Sequence, residues 1–352
     1  LADKGTLLKY WDISISKEGE IAKDITAKFI NGYVPKYSQD DETKESLNRL
    51  LYGEKTEKKK EELFNMIKNG FPKSFHHIAK SALNPTDTPD KFTGVEALGV
   101  LKADVDNLGL VFSCGLEHNS ISRLATLSRQ MNYYFSVYIP FVLSIKEEFK
   151  DIYTVFAGGD DLFLIGQWNW IIEFALFLRE SFKNYVCGNT QITLSAGISV
   201  HKPGEPIPSI SESAEVALKK SKANKRNSIT VFDETVKWQE FGELNTIKKE
   251  IETWVDKSFI NNAMLFRLNT FSHMAKQEKE LLEERGEIDA EDWDCLKWKS
   301  NFKYNLVRNI GKKLKGDEKD TAIKEVEKAA IWLIQYGGAM KIPVWQIIYN
   351  QR

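Results

Sequence analysis

The sequence has few of the features that mark secreted, zinc-binding or disulfide-stabilised proteins. It contains three cysteines, Cys114, Cys187 and Cys295, which stand far apart and show no paired spacing. This spacing offers no zinc site and favours a reducing, cytoplasmic environment. The five histidines also lack metal-ligand spacing. We interpret them as structural or surface residues.

Long apolar runs and an excess of one charge are also missing. No run approaches the length needed to cross a membrane, and the N-terminus lacks the apolar core of a signal peptide. The 352 residues carry a formal net charge of −1, although 28% of them are charged. This balance argues against a surface coated with nucleic acid but is compatible with a local basic groove. The length suffices for two or three domains.

The most informative segment reads Ala-Gly-Gly-Asp-Asp-Leu-Phe, at residues 157–163. Apolar stretches on both sides predict a β-hairpin whose turn carries Asp160 and Asp161. Gly158 and Gly159 permit backbone conformations closed to other residues, so we expect a tight turn that is open on one side. Neighbouring carboxylates repel each other unless a proton or a cation intervenes. The pair therefore suggests a divalent metal with a bound phosphate, and an acidic surface turn is the alternative.

A second apolar strand, predicted at residues 98–106, ends in alternating acids. At the two-residue period of a strand, Asp104 and Asp106 point to the same side. If this strand lies beside the hairpin, Asp104 and Asp160 or Asp161 converge on one or two hard cations such as Mg²⁺ or Mn²⁺. Two such metals would activate an attacking hydroxyl and neutralise a triphosphate. A strand-end cap is the alternative role for one of these acids.

The order of the predicted elements indicates an α+β protein, with a ferredoxin-like palm followed by an all-α helical domain. The palm, at 91–235, reads βαββαβ with an extra helix and strand, which predicts an antiparallel sheet covered by helices on one face. Residues 1–90 are predicted to be an interdomain segment with a polar insertion at 38–70, and residues 236–352 a helical C-terminal domain. The predicted palm elements are strands at 98–106, 152–166 (the hairpin), 192–200 and 229–232, and helices at 121–145, 169–185 and 210–224.

Basic residues at the end of the last palm helix are candidates for contacts with a nucleotide. Five cations between Lys219 and Arg226 could neutralise a triphosphate, and basic residues at a helix C-terminus also complement the helix dipole. Helical spacing places Lys219 and Lys222 on one side of the helix and Lys220 on another. At most two of these cations are therefore expected to face the acids.

Two further groups of residues are candidates for nucleotide contacts. Asn107, Leu108 and Gly109 follow the first acidic strand, where exposed backbone N–H groups could cradle phosphates. Ser128 and Arg129, on the first long helix, are candidates for contacts with the base or the ribose.

The stretch from about 95 to 235 resembles the second palm domain of the large subunit of type III-A, Csm-type CRISPR effector complexes. Residues 214–227 also resemble diguanylate cyclases, a related palm family, in which Lys222 matches a phosphate-contacting lysine and Asn227 the asparagine that closes the motif. The segments that carry the main resemblance are 98–109, 121–129, 157–163, 187–189 and 193–199.

The resemblance implies an enzyme that polymerises ATP into cyclic oligoadenylates when a guide-bound complex captures a foreign transcript. It implies that Asp104 and Asp160 bind Mg²⁺ or Mn²⁺, with the Val105 carbonyl as a third contact and Asp161 as a second ligand or a catalytic assistant. It also implies that Gly158, Gly159, Lys219, Lys222 and Asn227 contact the nucleotide. The implied partners are other Csm-type subunits, guide RNA and target RNA. The resemblance implies no contact with a membrane.

The sequence departs from this family in three respects. It has no His-Asp pair, so we expect the family's N-terminal nuclease domain to be missing from this chain. The first palm, which supplies half of a composite two-ATP site, has no identifiable counterpart, and the paired cysteines of a zinc insertion are missing. Because the sequence starts at Leu1 rather than Met, a fragment of a longer protein is compatible with these departures.

Two alternative functions remain open. One is a diguanylate cyclase-like enzyme that uses GTP, although that family has Glu-Phe where this chain has Asp161 and Leu162. The other is a non-catalytic scaffold of an RNA-guided complex. The intact acidic residues argue against a complete loss of metal binding.

Overall fold

A computed structural model describes residues 11–12, 26–27, 32–115, 120–284, 293–311 and 314–352. The strands are β1 (Trp11–Asp12), β2 (Thr26–Ala27), β3 (Asn84–Pro85), β4 (Phe92–Thr93), β5 (Leu98–Val105), β6 (Tyr153–Gly158), β7 (Asp161–Gln167), β8 (Leu194–His201), β9 (Ser228–Val231) and β10 (Glu234–Lys237). The helices are α1 (Lys44–Leu51), α2 (Glu57–Met66), α3 (Phe75–Lys80), α4 (Leu108–Cys114), α5 (Ile121–Tyr133), α6 (Ile139–Ile145), α7 (Trp168–Tyr185), α8 (Ile207–Ala223), α9 (Trp238–Asp256), α10 (Asn262–Glu284), α11 (Trp293–Leu296), α12 (Trp298–Asn309), α13 (Asp317–Tyr336) and α14 (Lys341–Gln351). This α+β order, with a sheet followed by helices, confirms the predicted fold class.

The palm is built on a six-stranded sheet with the order β10-β9-β8-β5-β7-β6. Its strand pairs are antiparallel except β8 and β9, which run parallel. The first acidic strand, β5, lies between β7 and β8. Asp104 is therefore opposite Asp161 on one side and Ser195 on the other. This strand therefore lies beside the hairpin, which is the condition under which the acids were expected to converge.

Helices cover both faces of this sheet, and the prediction of one covered face was wrong. Leu101 and Ala103 belong to the main core with α7, whereas Leu98 and Val100 pack with Ile78 of α3 and with α8 on the other face. The reason is visible in β5, which is buried at six of its eight positions. A strand that is apolar on both sides requires a cover on both sides.

The first long helix contains a wide turn that its periodicity did not predict. The α-helices α5 and α6 are joined by a π-helix at Tyr134–Tyr138. Pro140 follows this turn and lacks the N–H that an α-helix would direct to residue 136. Turns of this kind occur frequently near functional sites.

The last palm strand, β10, was also missed. It pairs with β9 through the two-residue turn Phe232-Asp233, in which both residues have positive φ angles of 51° and 67°. Such turns favour Asn and Gly, so the sequence carried no hairpin signal here.

The helical C-terminal region packs directly on the palm. One apolar core continues from Leu101 of the sheet to Leu244 of α9 and Ile347 of α14. The indole N–H of Trp238 donates a hydrogen bond to the carbonyl of Leu194 over 2.8 Å. The predicted division into residues 1–90, 91–235 and 236–352 remains a prediction, and most of residues 1–31 lie outside the described part of the chain. Within the described helices, none is long and apolar enough to span a membrane.

Candidate metal and nucleotide site

Three carboxylates meet at one end of the sheet. Asp104 is near the end of β5, Asp160 is in the turn between β6 and β7, and Asp161 begins β7. One oxygen from each lies within 4.8 Å of the others, in the one such cluster found in the described part of the chain. Carboxylate oxygens at this spacing suit a hard divalent cation.

The turn that carries two of these acids is held from two directions. Gly158 pairs with Asp161, so the loop is Gly159-Asp160, and Gly159 has the positive φ of 65° that favours glycine. The Val105 N–H donates to the Asp160 carbonyl over 3.2 Å, which links the turn to the end of β5. From α5, the side-chain oxygen of Asn132 accepts a hydrogen bond from the Gly159 N–H over 3.1 Å.

Asn132 is a site residue that the sequence reasoning missed. Asn is unremarkable on a helix, so its sequence position carried no signal that it would reach the turn. The main-chain carbonyl of Asn132 also accepts a hydrogen bond from the hydroxyl of Ser136, in the middle of the π-helix. The only available signal was its place one helical turn after Ser128, the predicted base or ribose contact.

The electrostatics of the cluster favour an added positive charge. Burial and the neighbouring Asp161 together raise the pKa of Asp104 to about 6, although Lys222 acts in the opposite direction. Lys222 of α8 forms an ion pair with Asp104, so an ammonium group occupies part of the space where a cation is expected. The donor set of three carboxylates therefore fits Mg²⁺ or Mn²⁺.

Asp106 has a different place from the three clustered acids. It is 1% exposed and accepts hydrogen bonds from the hydroxyls of Thr193 and Ser195, both over 2.7 Å. It also accepts the Asn227 N–H over 2.9 Å. Asp106 thus links the end of β5 to β8 and to the loop after α8. It has the role of a strand-end cap, the alternative that the sequence left open for Asp104 or Asp106.

The loop that follows α8 is tightly constrained. Lys225, Arg226 and Asn227 all have positive φ angles, between 48° and 57°. Non-glycine residues adopt this conformation at a cost that the surroundings must offset. Lys237 contributes by donating to the carbonyls of Asn224 and Arg226 over 2.7 and 2.6 Å. The side-chain oxygen of Asn227 is buried and has no partner among the described residues.

The structure separates the basic candidates of α8. Lys222 reaches Asp104, whereas the Lys219 side chain is 72% exposed and lies 4.0 Å from Glu215. Lys220 pairs with Asp233 over 3.1 Å. The predicted opposite placement of Lys220 is therefore confirmed, and Lys219 is not part of the acidic cluster.

The other predicted nucleotide contacts lie at the start of α4, on α5 and at the end of β6. Asn107 has a φ of 55° and precedes α4, Leu108 is buried, and a side chain added at Gly109 would meet open space. A Cβ at Gly158 would lie 3.5 Å from the Asn132 oxygen. Ser128 is exposed on α5. The nucleotide-contact roles of these residues remain predictions.

The segment that contains these three carboxylates matches a known protein family. Residues 97–230 match the family described as Cas10/Cmr2, second palm domain. This segment is similar to a Cas10-type second palm. The predicted resemblance to the large subunit of type III-A complexes is confirmed.

Two curated Cas10 relatives match part of this chain. Both are described as a CRISPR system single-strand-specific deoxyribonuclease Cas10/Csm1 of subtype III-A. The protein from Methanocaldococcus jannaschii is 38% identical over 168 residues, which cover 42% of this chain and 21% of the relative. The protein from Enterococcus italicus is 38% identical over 144 residues, covering 40% of this chain and 18% of the relative. The matches thus span about a fifth of each Cas10 relative.

Solved Csm1 structures match almost the whole chain in fold. Csm1 in T. onnurineus has a TM-score of 0.59 at 23% identity, covering 96% of this chain and 44% of that one. A Csm1-Csm4 cassette in complex with pppApApA has a TM-score of 0.60 at 20% identity, covering 98% and 44%. The similarity therefore extends beyond the Cas10-type palm into the helical region.

Proposed function

We propose that this chain is a metal-dependent nucleotidyltransferase subunit of a type III CRISPR RNA-guided complex, which converts ATP into cyclic oligoadenylates upon target RNA binding. The proposal is based on the cluster of Asp104, Asp160 and Asp161, in a segment similar to a Cas10-type palm. One carboxylate oxygen from each residue lies within 4.8 Å of the others. Lys222 adds a cation at the edge of the same cluster.

The carboxylates have distinct places in this reaction. Asp104, Asp160 and Asp161 would hold Mg²⁺ or Mn²⁺, which when bound neutralises phosphate charge and makes a hydroxyl more acidic. The ribose hydroxyl of one nucleotide attacks the α-phosphate of another, and pyrophosphate leaves. Asp161 is the exposed member of the cluster, so it is the carboxylate best placed to assist the attacking hydroxyl.

Lys222 has a role that depends on what occupies the site. Without a nucleotide its ammonium is paired with Asp104. When a cation takes over the charge of that carboxylate, the ammonium becomes available to a phosphate as a point charge. The open space above Gly109 and the N–H groups beginning at Asn107 flank the end of the same strand and are proposed to cradle the phosphates.

Nucleotide complexes of structurally similar proteins support this choice of substrate. Csm1-Csm4 cassettes with TM-scores of 0.57, 0.58 and 0.59 are described in complex with one ATP, with cA3 and with cA4. By analogy we propose ATP as the substrate and other Csm-type subunits, guide RNA and target RNA as the partners of this chain. Since the chain covers 44% of those Csm1 chains or slightly less, the rest of the catalytic apparatus is expected from sequence that lies outside it.

The test is product formation from ATP and from GTP. The chain, alone and in an assembled guide complex with target RNA, is incubated with Mg²⁺ or Mn²⁺ and either nucleotide. We expect adenylate products that disappear in the Asp160→Ala, Asp161→Ala double variant. Asp233→Ala, in the other two-residue hairpin turn of the sheet, is the matched control and should retain activity. GTP-specific dimers would indicate a diguanylate cyclase, and no product from the assembled complex would indicate a scaffold.

A further inference from the structure

Three hydrogen-bonded side chains form a row at the C-terminal end of β8 and in the loop that follows it. The Ser199 hydroxyl oxygen lies 2.9 Å from Nε2 of His201, and Nδ1 of the same ring lies 2.8 Å from Oε2 of Glu205. Ser199 and His201 are opposite Val100 and Leu98 of β5, whereas the metal cluster is at the other end of that strand. The row is therefore separate from the metal and nucleotide site.

The end of β8 projects beyond its neighbour β9, which leaves a cavity beside Ser199. The pairing of these two strands ends at Ile198 and Val231, and the chain then turns at Phe232. The cavity has a volume of about 610 Å³, which is in the range of sites for small ligands. Its apolar wall includes Val200, Val216, Phe232, Trp345 and Tyr349.

The charged groups on the same wall are of both signs. They are Glu212, Asp233 and Lys341. Asp233 is paired with Lys220 over 3.1 Å, and the Lys341 ammonium lies 5.9 Å from the centre of the Trp345 ring. Because neither sign of charge dominates, this wall fits an uncharged molecule with an apolar group.

Glu205 determines which ring nitrogen of His201 carries the proton. An ionised carboxylate only accepts hydrogen bonds, so Nδ1 is the donor and Nε2 accepts from the Ser199 hydroxyl. The hydrogen bonds from His201 and from the Lys202 N–H lower the pKa of Glu205, which keeps the carboxylate ionised. A hydroxyl, an imidazole and a carboxylate thus stand in the order of a nucleophile, its general base and the group that orients the base.

We propose that Ser199, His201 and Glu205 form a hydrolytic site for small, uncharged carboxylic esters. Ser199 Oγ bonds to the acyl carbon while its proton passes to Nε2 of His201, and the alcohol leaves with that proton. Water then donates a proton to His201 as its oxygen bonds to the acyl carbon. The acid is released, and Ser199 regains its proton from His201.

The first turn of α8 supplies hydrogen-bond donors at the same cavity. Ser209 belongs to this turn and lines the cavity with Ser199. The N–H groups at the start of a helix have no acceptor within the helix. Such groups stabilise the negative oxygen that develops when a hydroxyl attacks an ester carbonyl. This activity does not depend on nucleotidyl transfer.

Labelling of the full chain with a fluorophosphonate–biotin probe, followed by peptide mass spectrometry, tests the proposal. We expect the label at Ser199, its loss in Ser199→Ala, and labelling about 100-fold slower or more in His201→Gln, which lacks the general base. Ser213→Ala is the matched control, because the Ser213 hydroxyl lines the same cavity but donates to the Ser209 carbonyl over 3.1 Å. This control should keep the rate of the unmodified chain, and hydrolysis of p-nitrophenyl acetate should follow the same order.

Glu205→Gln keeps the test decisive if changes within β8 disturb folding. The Glu205 side chain is 40% exposed, so the fold should persist, as circular dichroism checks. Labelling should slow about tenfold or more, because an amide does not hold the proton on Nδ1 of His201. The Asp160→Ala, Asp161→Ala double variant should be labelled at the unmodified rate, so the loss of nucleotidyl transfer is distinguishable from the loss of this activity. A label on another serine, or equal rates in Glu205→Gln and the unmodified chain, would overturn the proposal and show that the three side chains only fix the loop after β8.

Discussion

The pH dependence of stability should reveal the strain in the acidic cluster, and Asp104→Asn is the informative change. Burial and Asp161 raise the pKa of Asp104 from 3.8 to about 6 in the folded protein. The folded state therefore binds this proton more tightly than the unfolded chain does. The contribution of Asp104 to stability is fully present below pH 3.8 and is lost as the pH rises through about 6. The difference between these two pKa values corresponds to at most about 3 kcal/mol.

Urea unfolding of the metal-free protein measures this effect. As the pH rises from about 4 to about 7.5, the free energy of unfolding of the unmodified chain should fall relative to that of Asp104→Asn, by about 1 to 3 kcal/mol. Adding Mn²⁺ at the higher pH should restore the stability of the unmodified chain and have little effect on the variant. Asp233→Asn, which changes an exposed carboxyl in the other hairpin turn, is the control. A stability difference that stays constant over this pH range would refute the reasoning.

Three further substitutions test the surroundings of the cluster. Lys222→Met should raise the KM for ATP about tenfold or more in the assembled complex, while Lys220→Met, on the other side of α8, should not; equal effects would contradict the assignment. Asn132→Ala removes the hydrogen bond to the turn and should weaken Mn²⁺ binding about two- to tenfold, as measured by electron paramagnetic resonance. An unchanged affinity for Mn²⁺ would show that the turn keeps its conformation without this hydrogen bond. Asp106→Asn should lower the free energy of unfolding by about 1 to 3 kcal/mol in urea, because a buried acceptor of three hydrogen bonds is altered, and a neutral result would argue against its role as a link between strands.

The main elements of the palm were predictable because their signals are local. The hairpin follows from two apolar strands around Gly158 and Gly159, and β5 from an apolar run that ends in acids. The cover on the second face was not predictable in the same way, because α3 comes from the segment before the palm and its contact with Val100 is a tertiary one. The turn Phe232-Asp233 lacks the Asn-Gly or Asp-Gly pair that usually marks a two-residue hairpin.

The same difference between local sequence signals and tertiary contacts decides which residues of the candidate site were predictable. Asp104, Asp160 and Asp161 were predicted because the pairing of neighbouring strands brings residues at their ends close together. Lys222 was predicted because its segment resembles a known motif. Asn132 and the separation of Asp106 from the cluster required the three-dimensional structure. Their roles depend on hydrogen bonds across 27 and 87 or more residues of sequence, for which a single sequence offers no local pattern.

The most direct test of the central claim is a titration of the chain with Mn²⁺ followed by electron paramagnetic resonance, with and without ATP. We expect saturable Mn²⁺ binding that ATP strengthens and that the Asp160→Ala, Asp161→Ala double variant loses, whereas Asp233→Ala retains it. Equal Mn²⁺ binding by the double variant and the unmodified chain would contradict the claim that these carboxylates form the metal and nucleotide centre.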